Sequence, residues 1–224
     1  VRSEIPVVAI DGPSGSGKGT LAAMLAERLG WHYLDSGALY RVVAAAALAR
    51  SVALDDETAL ARLVGMLEIE FRGQEVVVDG EDLGGRIRHD EVSITASRVA
   101  ALPAVRAAIL DIQHSMRRPP GLVADGRDMG TEVFPDALLK IFLDASAQVR
   151  AERRYKQLKN KGLDVSVRAL LANIQERDER DRGRAASPLV PAEDAEILNS
   201  TTLTIDEVLN RVHALVCERI EPSN

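Results

Sequence analysis

The sequence predicts an α/β fold: a five-stranded parallel sheet flanked by helices, with a small antiparallel insert and a short lid. Three observations carry this. Short apolar, partly β-branched runs recur along the 224 residues, and helix-forming stretches separate most of them; that alternation yields a parallel sheet covered on both faces. A glycine-rich loop joins the first run to the first helix-like stretch. Three later runs lead straight into an acid, Asp35, Asp125 and Asp144, and ligands of open α/β sheets bind beyond the C-terminal strand ends.

The first strand is Val7–Ile10, and Leu21–Leu29 is a helix closed by Gly30. Between them lies Gly12-Pro13-Ser14-Gly15-Ser16-Gly17-Lys18-Gly19-Thr20. Strand, glycine loop, lysine and helix together describe a phosphate-binding P-loop and hence a P-loop NTPase core. Backbone N–H groups can converge on phosphate oxygens there, and the helix N-terminus adds its positive dipole end. Lys18 supplies a point charge for the terminal phosphates. Gly19 stands where a Ser or Thr would follow the lysine, so the Mg²⁺-side hydroxyl is assigned to Thr20.

Strand two is His32–Leu34, strand three Leu122–Ala124, strand four Leu139–Leu143 and strand five Ala195–Leu198. More than 80 residues separate strands two and three, too many for one crossover. Within them Leu67–Phe71 alternates, Arg72-Gly73-Gln74-Glu75 can turn, and Val76–Gly80 reads as a second strand. This places the antiparallel insert at residues 55–91 and the core at 1–54 and 92–224. A helix starting near Val92 carries Ser97, and Pro103 opens the next one, which runs to about Met116.

Composition narrows the function. The chain is 46% hydrophobic, with no run of 18 apolar residues, so no membrane span is expected. The opening Val1-Arg2-Ser3-Glu4 has no apolar stretch, so no signal peptide is expected. One cysteine, Cys217, excludes an internal disulfide or a cysteine-clustered zinc site, and places the chain in a reducing cytoplasm. Net charge is −6, yet Arg150–Arg184 holds 11 basic and 6 acidic residues, a local +5. A basic segment in an acidic protein fits a small anionic ligand and argues against nucleic acid. Aromatics, at 3%, are too few for base-stacking platforms.

The acceptor site must lie outside the loop, and four segments are candidates. Asp35–Arg41 follows a strand and opens a helix; Ser36 can cap that helix, and Arg41 can reach phosphate. Asp125-Gly126-Arg127-Asp128-Met129-Gly130 is poor packing material, and Arg127 offers a planar fork for phosphate. Val149–Gly162 reads as a cationic lid, at about residues 150–165, that closes over the donor phosphates. In the fourth segment, an apolar stripe of Val167, Leu170, Leu171 and Ile174 continues as Arg177, Asp181 and Arg184. A helix end lining a polar cleft explains that change; an i,i+4 salt-bridged surface tail is the alternative.

GPSGSGKGT, LDSGALYR, ASRVAALPAVR, ADGRDMG, KIFLDAS and ERDERDRGRAASPLVPA together resemble the bacterial cytidylate kinases, from about Val7 to about Leu209. The resemblance implies a P-loop core, an enlarged monophosphate-binding insert and a short lid without zinc. It implies that Gly12–Thr20 bind ATP and that Ser36, Ser97, Arg106 and Asp128 contact the cytosine or seat the nucleotide. Arg41 and Arg127 would hold the CMP phosphate, with Asp181 on the sugar and Arg184 in the same pocket. Arg153 would reach the transferring phosphoryl group from the lid, with Arg177 a further candidate and Lys18 on the donor phosphates. The expected enzyme is a monomer that transfers the γ-phosphoryl of ATP to CMP or dCMP with Mg²⁺. Another small-molecule P-loop kinase, acting on UMP, AMP or a non-nucleotide, is the alternative. A GTPase switch would need Asn-Lys-x-Asp, and Asn160-Lys161-Gly162-Leu163-Asp164 has one residue too many.

Overall fold

The structure, a computed structural model, describes residues 5–72, 75–83, 85–160 and 162–220. The expected turn at 73–74, Lys161 of the lid and the opening four residues lie outside the described residues.

The main sheet contains β1 (Val7–Asp11), β2 (His32–Asp35), β6 (Leu122–Gly126), β7 (Leu139–Asp144) and β8 (Glu196–Asn199). All pairings are parallel, in the order β2-β6-β1-β7-β8. The smaller sheet holds β3 (Ile69–Arg72), β4 (Glu75–Val78) and a two-residue β5 (Glu81–Asp82), paired antiparallel. The expected α/β architecture is therefore present, with β5 as a strand too short for any sequence pattern to mark.

Side chains alternate along β1 and divide it between two apolar layers. Val7 and Ala9 pack on one face with α2 (Ser36–Ala49), α3 (Glu57–Met66), α4 (Asp90–Val99) and α5 (Pro103–Ser115). Val8 and Ile10 pack on the other with α1 (Lys18–Leu29) and α8 (Ile205–Ile220). Val76 and Val78 of β4 join the first layer, so the small sheet shares its core with α2 and α3. No single helix among the described residues is long and apolar enough to cross a membrane.

Two further helices, α6 (Ala147–Asn160) and α7 (Val167–Arg182), form an antiparallel arm over the C-terminal strand ends. The α7 face that begins with Ile174 continues with buried Asp178 and Asp181. The expected stripe is thus real, and it includes one acid, Asp178, that the sequence reading passed over.

Candidate active site

Strand ends place the acids. Asp35 and Asp125 are register partners on β2 and β6. Asp11, between the expected strand and the glycine loop, ends β1. Its two oxygens accept the Met129 and Gly130 N–H groups, each at 2.8 Å, and so tie the segment after β6 to the strand before the glycine loop. Burial pushes its carboxyl up to about 7 against the pull of those two donors.

The loop turns through Gly15 and Gly17, both with positive φ, and delivers Lys18 into the first turn of α1. Gly12 is required where it is: a Cβ there would overlap the Leu143 carbonyl oxygen of β7. Pro13 is buried beside it, and Ser16 is buried with its Oγ unpartnered among the described residues. Burial first, and the nearby Arg127 charge next, push the Lys18 amine down to about 7.

Position 19 faces the acids. A Cβ on Gly19 would stand 3.7 Å from the Tyr33 hydroxyl and 3.8 Å from Asp125 Oδ2. The Tyr33 hydroxyl donates to Asp125 Oδ1 at 2.8 Å. Thr20 is exposed and does not line the cleft, so the structure does not bring the expected metal-side hydroxyl to it. One turn position moves it away: the helix starts at Lys18, and residue 20 points off the face that residue 19 presents.

A cleft opens between these strand ends and α7. Its lining carries six cations, Lys18, Arg41, Arg106, Arg127, Arg177 and Arg184, against the carboxylates of Asp35, Asp125, Asp128 and Asp181, a net of two positive charges. The arginines are held in place by those acids. Asp181, 1% exposed, accepts from Arg127 Nε at 2.9 Å and from Arg184 at 2.5 Å, with Arg177 Nε at 4.0 Å. Burial alone would raise the Asp181 carboxyl; Arg127, Arg184 and Arg177 outweigh it and hold the group below the ordinary carboxylate range. Arg41 pairs with Asp35 at 2.7 Å, and Arg106 pairs with Asp128 while lying over the Tyr40 ring. The Nε atoms of Arg41, Arg177 and Arg184 are buried and have no hydrogen-bond partner among the described residues.

Ser36 lines the cleft and caps nothing: Asp35 caps α2 by accepting the Ala38 N–H at 2.9 Å. Ser36 Oγ instead accepts from Gln113 of α5 at 2.8 Å, a buried contact that no local pattern announces. Ser97 also lines the cleft, approached by Arg180 and Arg184 at 3.4 and 3.5 Å.

Arg153 is elsewhere. It donates to the Ser16 carbonyl at 3.1 Å and to the Ser200 hydroxyl and carbonyl, and it does not line the cleft. The expected lid is therefore, in this structure, a helix whose Arg150 and Arg153 face the glycine loop, with Lys156 and Lys159 exposed.

The chain matches the family model described as cytidylate kinase over residues 8–218. It is 58% identical over 213 residues to the cytidylate kinase of Aeromonas salmonicida, covering 93% of each chain. It is 53% identical over 225 residues to that of Photobacterium profundum, covering 99% of each. A solved structure of an uncharacterized protein from Eubacterium ventriosum superposes over 95% of this chain and 98% of that one. The TM-score is 0.52 at 13% identity, a likeness of fold alone.

Proposed function

The chain belongs to the cytidylate kinase family, and from that premise we propose how its cleft moves a phosphoryl group. The enzyme transfers the γ-phosphoryl of ATP to CMP or dCMP, giving ADP and CDP or dCDP. The observation that carries the site assignment is the excess of arginine over acid at the strand ends, arranged around Asp181.

The acceptor needs no general base, because a phosphate monoester with a second pKa of about 6 is mostly a dianion at neutral pH. The task is to bring two polyanions in line and to spread the charge that develops between them. In our reading Gly12–Thr20 wrap the donor phosphates and Lys18 sits on their far end. Arg41 and Arg127 take the CMP phosphate. Ser36, Ser97, Arg106 and Asp128 seat the base, and Asp181 with Arg184 faces the sugar. Arg177 stands between the two phosphate positions. Arg153 joins it only if α6 moves, since its donors are now on Ser16 and Ser200. Residues 55–91 act as the acceptor-side unit.

The residues present suit Mg²⁺. Asp35 and Asp125 are adjacent hard oxygen ligands, and burial, then the Asp35 charge, pushes the Asp125 carboxyl up to about 6, a strain that a cation relieves. No cluster of three or more metal-binding side chains exists among the described residues, which matches an ion held by one or two carboxylates, water and substrate phosphates. Asp125 with Asp35, in place of Thr20, would hold it. When bound, Mg²⁺ neutralises the β- and γ-phosphate charge. Excess EDTA should abolish ADP formation, and added Mg²⁺ should restore it.

Arg127→Ala and Arg41→Ala should each weaken CMP by about ten- to a hundred-fold, the worth of one charged hydrogen bond. ATP binding should change far less. Calorimetry with each nucleotide separates the two; equal losses would put these arginines on the wrong substrate.

The reading also has the enzyme acting as a cytoplasmic monomer on small nucleotides, which sedimentation at about 24 kDa would bear out. Its central test is ADP release from ATP with CMP, dCMP, UMP and AMP in turn. CMP and dCMP should lead; equal rates with UMP or AMP, or release without any acceptor, would overturn it.

A further inference from the structure

We propose that Arg150 and Asp178 form a positioning pair that fixes the phosphate loop against helix α7, so that donor and acceptor phosphates meet in line. The proposal rests on the kinase reading above. Arg150 is 2% exposed and spends its whole fork on protein. Its Nε donates to the Ala145 carbonyl at 2.9 Å. Its Nη1 donates to the Ser14 carbonyl at 2.9 Å and to Asp178 Oδ1 at 3.0 Å, and its Nη2 to Asp178 Oδ2. Neither residue lines the cleft. Each is one step from something that does: Ser14 lies in the loop, and Asp178 follows Arg177 and precedes Asp181 by less than one turn of α7.

The backbone explains why a carbonyl contact matters. In a trans peptide unit the N–H and C=O point to opposite sides. Arg150, by holding the Ser14 carbonyl on the α6 side, turns the Gly15 N–H away from α6. Arg153 and the Ser200 hydroxyl approach the Ser16 carbonyl in the same way and so turn the Gly17 N–H. Donors fixed in advance need no reorganisation as charge develops during transfer. The fit is close, since a Cβ on Gly15 would stand 3.3 Å from the Arg150 Cβ.

A buried ion pair is a poor way to stabilise a fold, because apolar residues of similar volume often serve as well or better. That gives the test. The double variant Arg150→Met with Asp178→Leu removes both charges and keeps the volume. Its melting temperature should match or exceed wild type. Its kcat for CMP should fall by about ten- to a hundred-fold, the cost of misplacing reacting groups by about 1 Å. Calorimetric Kd values for CMP alone and for a non-hydrolysable ATP analogue alone should stay within about three-fold of wild type, because the lost term lies in alignment rather than in either binding event. A folded double variant with wild-type kcat overturns the proposal, and so does a loss confined to the binary affinity of one nucleotide. Should the double variant fail to fold, Arg150→Lys keeps the charge but loses the fork; the same fall in kcat supports the proposal and an unchanged kcat overturns it. The wild type is assayed first: inactivity on CMP would overturn the functional reading and this proposal together. Wild-type activity with a fully active double variant overturns the proposal alone.

Discussion

Lys18→Ala should lower kcat by at least about two to three orders of magnitude, the cost of removing one preorganised donor to developing charge, while the protein stays folded. Lys18 sits at the head of α1 in a cleft shared with Arg127, Arg177 and three buried acids, Asp125, Asp128 and Asp181. Its amine is pushed down to about 7 from an ordinary 10.5, by burial first and Arg127 next. The fold therefore holds this charge at a cost, and the truncation should leave its melting temperature at neutral pH equal or higher. The pH dependence gives a second readout. A lysine whose pKa falls on folding binds its proton more weakly folded than unfolded. Between about 7 and 10.5 the unfolded chain then carries more protons, and wild-type stability rises with pH across that window. The Lys18→Ala variant should lose that slope. Melting curves at about pH 7 and 9, with steady-state kinetics, test both parts; near-normal kcat would remove Lys18 from the donor phosphates.

Asp181→Ala should have the second largest effect, and it should appear in the acceptor. Asp181 is the acid on which Arg127, Arg184 and Arg177 converge. Its removal leaves buried guanidinium groups without their partner, a loss of about 3–5 kcal/mol in comparable buried pairs. KM for CMP should rise by about ten- to a hundred-fold, as for a lost charged hydrogen bond, with a smaller change for ATP. If the carboxylate also meets the sugar, CMP and dCMP should suffer unequally, since only ribose offers a 2′-hydroxyl. Kinetics with both acceptors and a melting curve on the same variant decide this. Unchanged KM values would leave Asp181 a structural partner of Arg127 and Arg184 with no part in acceptor binding.

Much of this was legible in the sequence because it is local. The glycine loop, the acids at strand ends and the α7 stripe are each written within a few consecutive residues, and the structure brings Ser36, Arg41, Ser97, Arg106, Arg127, Asp128, Arg177, Asp181 and Arg184 to one cleft. What was not legible has physical causes. The capping alternative for Ser36 fails because Asp35 is one residue earlier and its carboxylate reaches the Ala38 N–H first, which leaves Ser36 in the cleft lining. Thr20 is exposed and outside the cleft, while Tyr33 and Asp125 stand beside position 19 from other strands, a placement set by residues distant in the chain. Arg150 read only as part of the cationic lid and Asp178 carried no reading, since nothing in either helix reveals that the other packs on it. Gln113 and Asp11 act across 77 and 118 residues of chain, beyond any local pattern.

The four carboxylates of the cleft also govern its behaviour at a distance. Six bare cations would draw in any polyanion and would depend steeply on ionic strength. With four acids interleaved, the cleft's own formal charge is only about two. In the proposed site a phosphate would take over hydrogen bonds from Asp35 and Asp181 instead of meeting solvated guanidinium groups, so arrival would be an exchange of anions. Leaving is the reverse exchange, with each acid beside the arginine it would recapture. Added salt should therefore alter the enzyme's nucleotide affinity less than its count of arginines suggests.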